Sequence, residues 1–316
     1  MKLALIGGVV VLVAVVAALV LRARRRSSGD VVDEAAAALK LPVCTTHLGG
    51  YTVTALLSTE PYASMYTGVD DSGRSVTIKL PARSSLQDPD ELKRFDREAQ
   101  MLEGIKHPNV VRLLARGKVD ERGIKVPYMV LEPLAGLEFS AFLAERAPLA
   151  ASDVVHVLSQ IAAALDVVHA QGIIHRNLGP EALRITPDGR VTLHNFGVAR
   201  AATMQTITAQ GQVVGSVEFM APEQMAGKKI DGQVDLYALG VLGYQLLTGK
   251  SPFAHAGVAA LMKQKNELEG PHPRKLNEHV PLELDRLVSQ LMSADPKRRP
   301  GPASRVLRDL SGIRPV

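Results

Sequence analysis

The sequence predicts an α+β fold of two lobes. A small β-rich lobe carrying one helix is followed by a larger, mainly helical lobe, with a single transmembrane helix in front. Three observations predict it. Leu3 to Leu21, "LALIGGVVVLVAVVAALVL", carries no charge and, at ~1.5 Å per residue, just spans a hydrocarbon core. From Tyr51 to Pro133, short runs of β-branched and apolar residues alternate with turn signals. After Pro133, apolar residues recur mostly at helical spacing, interrupted by one short hairpin.

Composition narrows the function classes. With 316 residues, 46% of them hydrophobic, the chain has ample material for a large core. Much of the net charge of +5 comes from Arg22, Arg24, Arg25 and Arg26, so no spread-out basic surface for nucleic acid is indicated. A single cysteine, Cys44, excludes an intramolecular disulfide framework and argues against a cysteine metal site. His169 and His175 have no nearby third ligand and read as core histidines. The apolar span is followed directly by "RARRR" rather than by a polar stretch with a cleavage site, which favours a retained anchor over a signal peptide. The positive-inside rule then places the rest of the chain in the cytoplasm, at the cell membrane, as a single-pass protein.

Residues 1–26 are thus read as the anchor with its basic flank and 27–50 as a juxtamembrane linker, in which "VVDEAAAALKL" forms a short helix capped by Asp30. Residues 51–133 form the small lobe and 134–316 the large one. In the small lobe, "YTVTALLS", "SMYTGVD", "RSVTIKL", "VVRLLARGKV" and "KVPYMVLE" read as strands, with "DDSG" as a turn. "DPDELKRFDREAQMLEGIK" puts Leu92, Phe95, Ala99, Leu102 and Ile105 on one helical face. In the large lobe, a long helix over 152–171 is expected with Ser152 or Asp153 as its N-cap and Gly172 as its stop. A hairpin turning at Pro187-Asp188-Gly189 follows, and then helices over 235–249 and near 255–267, 282–293 and 302–311.

Several short motifs stand in a fixed order. They are "VTIK" at 76–79, Glu98 followed by "HPN" at 107–109, "MVLE" at 129–132 and "HRN" at 175–177. They continue with "NFG" at 195–197, "GSVEFMAPE" at 215–223, "DLYALGV" at 235–241 and "DPKRRP" at 295–300. In this order, from Tyr51 to Leu310, the chain resembles a Hanks-type (eukaryotic-like) serine/threonine protein kinase domain, most like those of bacteria. The resemblance implies that Lys79 is the phosphate-binding lysine and Glu98 its partner. Glu132 and Leu134 then lie in the nucleotide pocket if any nucleotide binds.

The chemistry this implies is mainly positioning and charge neutralisation around a transferring phosphoryl group, and the parts that supply it are replaced. In "STEPYASM", Ser58, Glu60 and Ala63 stand where three glycines would let backbone N–H groups approach phosphate, and Glu60 adds a negative charge. Asn177 stands for the catalytic aspartate, and losing a general base costs ~10²–10⁴ in rate. Gly179 replaces the lysine aimed at the γ-phosphate. Ala182 and Asn195 replace the two metal ligands, so no metal is expected. Arg184 falls where an apolar residue should lie under adenine, as a candidate occupant of the nucleotide's place or as a side chain turned to solvent or a local carboxylate. No cofactor is expected, and ATP binding, if any, should be weak and independent of magnesium.

The framework residues persist. Leu102, Leu113, His175 and Phe196 match an apolar column of the family, and Glu223 and Arg299 match a buried pair. Asp235 matches the aspartate that caps the catalytic-loop backbone. Arg176 would meet a phosphate on the loop holding the candidate phosphoacceptors Thr203, Thr206 and Thr208. Gly257 to Glu269, "GVAALMKQKNELE", reads as an amphipathic helix carrying Lys263 and Lys265, which the resemblance makes an ordinary helix of the family that sometimes docks partners. The reading is therefore a membrane-anchored pseudokinase, with residues 3–21 in the membrane. It would work through a protein partner, an active kinase or a membrane complex. The alternatives are an atypical ATP-dependent kinase and a non-catalytic ATP sensor.

Overall fold

The computed structural model describes residues 36–43, 45–60, 62–196, 216–253, 257–267 and 270–314. The span 3–21 with its basic flank, Asp30, and Thr203, Thr206 and Thr208 lie outside the described residues. The chain forms two compact units, one reaching to Gly104 and including Arg112–Leu134, the other made of Ile105–Val111 and the chain from Ala135 onward.

The small unit is an antiparallel sheet in the order β1-β2-β3-β5-β4, from β1 (Tyr51–Thr59), β2 (Ala63–Asp70), β3 (Ser75–Pro81), β4 (Leu113–Glu121) and β5 (Ile124–Leu131). The turn between β2 and β3 is held by Asp70, whose carboxylate accepts from Ser72 N, Ser72 Oγ and Arg74 N, with Gly73 at a φ of 80°. Helix α1 (Pro89–Leu102) starts at Asp88, whose side chain accepts from the Asp90 and Glu91 N–H groups. Its buried residues are Phe95, Glu98, Ala99 and Leu102, so the helical period places one carboxylate within an apolar stripe.

The linker expected over 27–50 is corrected where it is described. Ala36, Leu39, Leu41, Val43 and Leu48 are buried against Val53, Tyr66, Val76, Ile78, Leu80, Val126 and Val130. The Tyr66 hydroxyl donates to the Lys40 carbonyl at 3.3 Å, Arg83 Nη2 to the Leu41 carbonyl at 3.3 Å, and Val53 N to the Thr46 carbonyl at 2.8 Å. The reason lies in strand periodicity. Val76, Ile78 and Leu80 form an apolar row on one face of β3, and a one-layer sheet needs cover on that face.

In the large unit, β6 (Leu137–Glu138), β7 (Leu183–Ile185) and β8 (Val191–Leu193) form a small sheet. The helices are α2 (Phe139–Arg146), α3 (Ala151–Ala170), α4 (Ser216–Phe219), α5 (Pro222–Met225), α6 (Gln233–Thr248), α7 (Val258–Glu267), α8 (Leu282–Leu291) and α9 (Ala303–Ser311). Helix α6 is buried on every side from Val234 to Leu247 and forms the axis of the unit, with α3 and α8 against it and α9 against α3. Helix α3 begins with Ala150 at its N-cap and no side-chain cap bond, not with Ser152 or Asp153; its stop at Gly172, φ 72°, is as expected. By length and composition α3 could cross a membrane, but Val154, Val157, Leu158, Ile161, Leu165 and Val168 are buried within the unit.

Candidate functional site: a kinase-type lysine pair and catalytic loop

In the small unit, Lys79 lies mid-β3, paired in register with Met65 on β2 and Met129 on β5. Its Nζ donates to both carboxylate oxygens of Glu98, at 2.8 and 3.0 Å, with the two side chains 3% and 4% exposed. Burial pushes the Lys79 amine down, but Glu98 and then Glu60 outweigh it and hold it above its ordinary value. Glu60 reaches that position because its N–H donates to the Ala63 carbonyl at 2.8 Å, closing the β1–β2 connection tightly.

Thr77 precedes Lys79 by two residues and so shares its face of β3. Its Oγ1 accepts a hydrogen bond from the Leu134 N–H at 3.1 Å, and Thr77 is buried. The two residues are 57 apart in the chain, and no local signal in the sequence announces this bond. Glu132 N donates to the Arg112 carbonyl at 2.9 Å, and its half-exposed carboxylate lies 3.4 Å from Arg112 Nη1.

In the large unit, Asp235 at the start of α6 organises the "HRN" loop. Its carboxylate accepts from His175 N at 2.9 Å, from Arg176 N at 2.7 Å and from His169 Nε2 at 2.8 Å. His175 is buried, its Nε2 donates to the His194 carbonyl at 3.0 Å, and its ring meets Phe196 edge-on with centroids 4.9 Å apart. Gln224 Nε2 donates to the Arg176 carbonyl at 2.7 Å, a support that the sequence did not announce. Arg176 and Asn195 both take a φ of 65°, a left-handed backbone that asparagine tolerates better than most residues.

Asn177, Gly179 and Ala182 sit on this braced frame beside Asn195. Asn177 follows the two anchored N–H groups directly. Ala182 is buried, with its carbonyl accepting from His194 N at 2.9 Å. Gly179 has φ −175°, an extended backbone open to any residue, and a Cβ there would lie 3.4 Å from Phe219 and Glu181. Neither crowding nor backbone strain therefore requires glycine at 179. Among the described residues, no group of three or more His, Cys, Asp or Glu is arranged to hold a metal ion.

The Arg184 Nη2 donates to the Gly136 carbonyl at 2.9 Å and its Nη1 lies 3.8 Å from Glu138, across the β6–β7 pairing. Register sets Arg184 opposite Glu138, which brings that carboxylate within its reach.

Glu223 and Arg299 form a bidentate pair at 2.6 and 2.8 Å, essentially without solvent contact. Arg299 also donates to the Ser293 and Gln233 carbonyls at 2.9 Å each, and its guanidinium lies 4.9 Å from the centre of the Tyr237 ring. Its donors are almost all used.

Comparison with known proteins agrees with this arrangement. Residues 51–309 match the protein kinase domain family. The chain is 31% identical over 252 residues to a probable serine/threonine-protein kinase PknB of Lactococcus lactis, covering 79% of this chain and 39% of that protein. It is 34% identical over 264 residues to serine/threonine-protein kinase Pkn1 of Myxococcus xanthus, covering 82% and 37%. With serine/threonine-protein kinase PknA of Mycobacterium tuberculosis it shares 32% over 241 residues, covering 75% and 56%. The chain thus spans less than two thirds of the length of these relatives. It belongs to the protein kinase family, with a Hanks-type serine/threonine kinase domain of the bacterial kind.

Proposed function

We propose that this chain is a pseudokinase, a signalling scaffold or allosteric module anchored in the membrane by residues 3–21, with its kinase-type domain in the cytoplasm. The observation that carries the reading is a contrast within one loop. Every bond bracing the loop to Asp235 is made, while the groups that would act on phosphate are replaced at Asn177, Gly179, Ala182 and Asn195. The donor set does not fit a magnesium nucleotide. Ala182 has no ligand atom, and Asn195 offers one neutral oxygen to a cation that prefers carboxylate. One handle left for a nucleotide in the small unit, the Leu134 N–H, is engaged by the chain itself through Thr77. Such a module acts by binding, and its partner is a protein, an active kinase or a membrane complex.

Two other readings have some support. The relatives are named as kinases, which favours atypical transfer activity. The intact Lys79–Glu98 pair favours a non-catalytic ATP sensor. Thermal denaturation of the full chain with ATP, with and without magnesium, separates the three. The pseudokinase reading expects no shift in either condition. A shift that requires magnesium overturns it in favour of the enzyme, and one without magnesium favours the sensor.

A further inference from the structure

Lys265, on α7, is 1% exposed, a buried cation that the site described above does not use. Its Nζ donates to the carbonyls of Val217, Glu218 and Met220 at 3.2, 2.5 and 2.5 Å. It also lies 5.0 Å from the ring centres of both Tyr237 and Phe253. An ammonium has three N–H donors, and here it meets three acceptors and two aromatic faces.

The recipient is a segment that cannot hold its own shape. Helix α4, Ser216–Phe219, is a single turn, too short to be stable alone. Its neighbouring backbone bond, Met220 N to the Val217 carbonyl, is long at 3.4 Å. Val217, Phe219 and Met220 are nonetheless buried, and Gln245 Nε2 holds the Glu218 carboxylate at 2.7 Å. The Lys265 amine binds a backbone 45 to 48 residues away and joins α7 to this turn.

We propose that Lys265 is a positioning residue that locks the Val217–Met220 turn from the side of α7, so that the turn keeps its shape without a phosphate on Thr203, Thr206 or Thr208. This goes beyond the proposed function and stands whether or not the chain transfers phosphate.

The charged groups facing the amine come from three elements. Glu218 on α4 and Glu223 on α5 favour its protonation. Arg299 opposes it, and the buried Tyr237 on α6 stays neutral because burial raises its hydroxyl pKa. Burial is the largest influence and pushes Lys265 down from 10.5 to about 7. The sign of the linkage follows. The unfolded chain holds this proton up to about 10.5, whereas the folded chain releases it near 7. Stability from this group therefore rises as pH goes from about 7 toward 10.5.

The test is hydrogen exchange on the full chain for wild type, Lys265→Met and Lys265→Ala. Amides of residues 216–221 should exchange about tenfold or more faster in both variants, with the rest of the large unit protected as in wild type. Propylamine in excess should restore protection to Lys265→Ala, while propanol, with a single donor, should not. Wild-type protection of these amides should be equal after phosphatase treatment and after phosphorylation by an added kinase. Lys265→Met with wild-type protection, or wild-type protection that appears only on phosphorylation, overturns the proposal. If Lys265→Ala does not fold, Lys265→Met and the wild-type phosphorylation comparison decide.

Discussion

Among the described residues, each unit buries a pair of a lysine or arginine with a glutamate, and the two pairs are held differently. Glu223–Arg299 in the large unit is one node of a network, in which the guanidinium also serves backbone carbonyls and stacks on Tyr237. In Lys79–Glu98 of the small unit, one ammonium donates to both oxygens of one carboxylate, and Glu60 adds its charge. Both are nearly solvent-free, so both had to recover a desolvation cost from their partners. The first does so through architecture. The second does so with one ammonium set between two carboxylate oxygens. The two pairs thus share burial and differ in the donor, a planar guanidinium against a single ammonium.

This difference can be broken by mutation. Arg299→Met should have the largest effect, at least ~3–5 kcal/mol, because it strands Glu223 and frees two carbonyls together. Urea unfolding of the full chain measures it, and a loss under 1 kcal/mol would refute the network. Lys79→Met should fall near the lower end, ~3 kcal/mol, and Lys79→Met with Glu98→Leu should recover most of it, since a well-packed apolar pair often matches a buried ion pair. A double variant as unstable as the single one would show that the pair has structural partners beyond each other.

Thr77→Ala should cost only ~0.5–1.5 kcal/mol, one net hydrogen bond, but it frees the Leu134 N–H. Adenosine should then raise the melting temperature of Thr77→Ala and leave the wild type unmoved; equal response of the two would remove Thr77 as the reason. The smallest effect is expected for Asn177→Asp alone, with stability within about 0.5 kcal/mol of wild type. Radiolabelled phosphate transfer to a generic acceptor should stay undetectable, because Ala182 and Asn195 still offer no carboxylate to a metal. Transfer by this single variant would show that metal binding had survived.

Much of the fold was legible because its signals are local. Runs of β-branched and apolar residues between turn signals marked β1 to β5, the spacing of Phe95, Ala99 and Leu102 marked α1, and Gly172 marked the end of α3. The misses are instructive. Residues from Ala36 read as a connector because a strap has no period of its own, and its burial depends on a sheet that forms later in the chain. Ser152 and Asp153 are good capping residues, yet Ala150 holds the cap position, so local capping preference did not set the start of α3. For Arg184 the sequence left a local carboxylate open, and strand pairing supplies Gly136 and Glu138 as its neighbours.

By itself the sequence determined the kinds and order of elements and which side chains stand at 177, 179, 182 and 195. Both follow from side-chain identity: an alanine cannot ligate a metal in any fold, and a periodic apolar row must be buried somewhere. Only the tertiary structure decided which groups the remaining polar atoms would meet. Thr77 and Leu134 are 57 residues apart, Asp235 and His175 are 60 apart, and Glu223 and Arg299 are 76 apart. A hydrogen bond acts over about 3 Å, so its partner is chosen by packing that brings distant segments together.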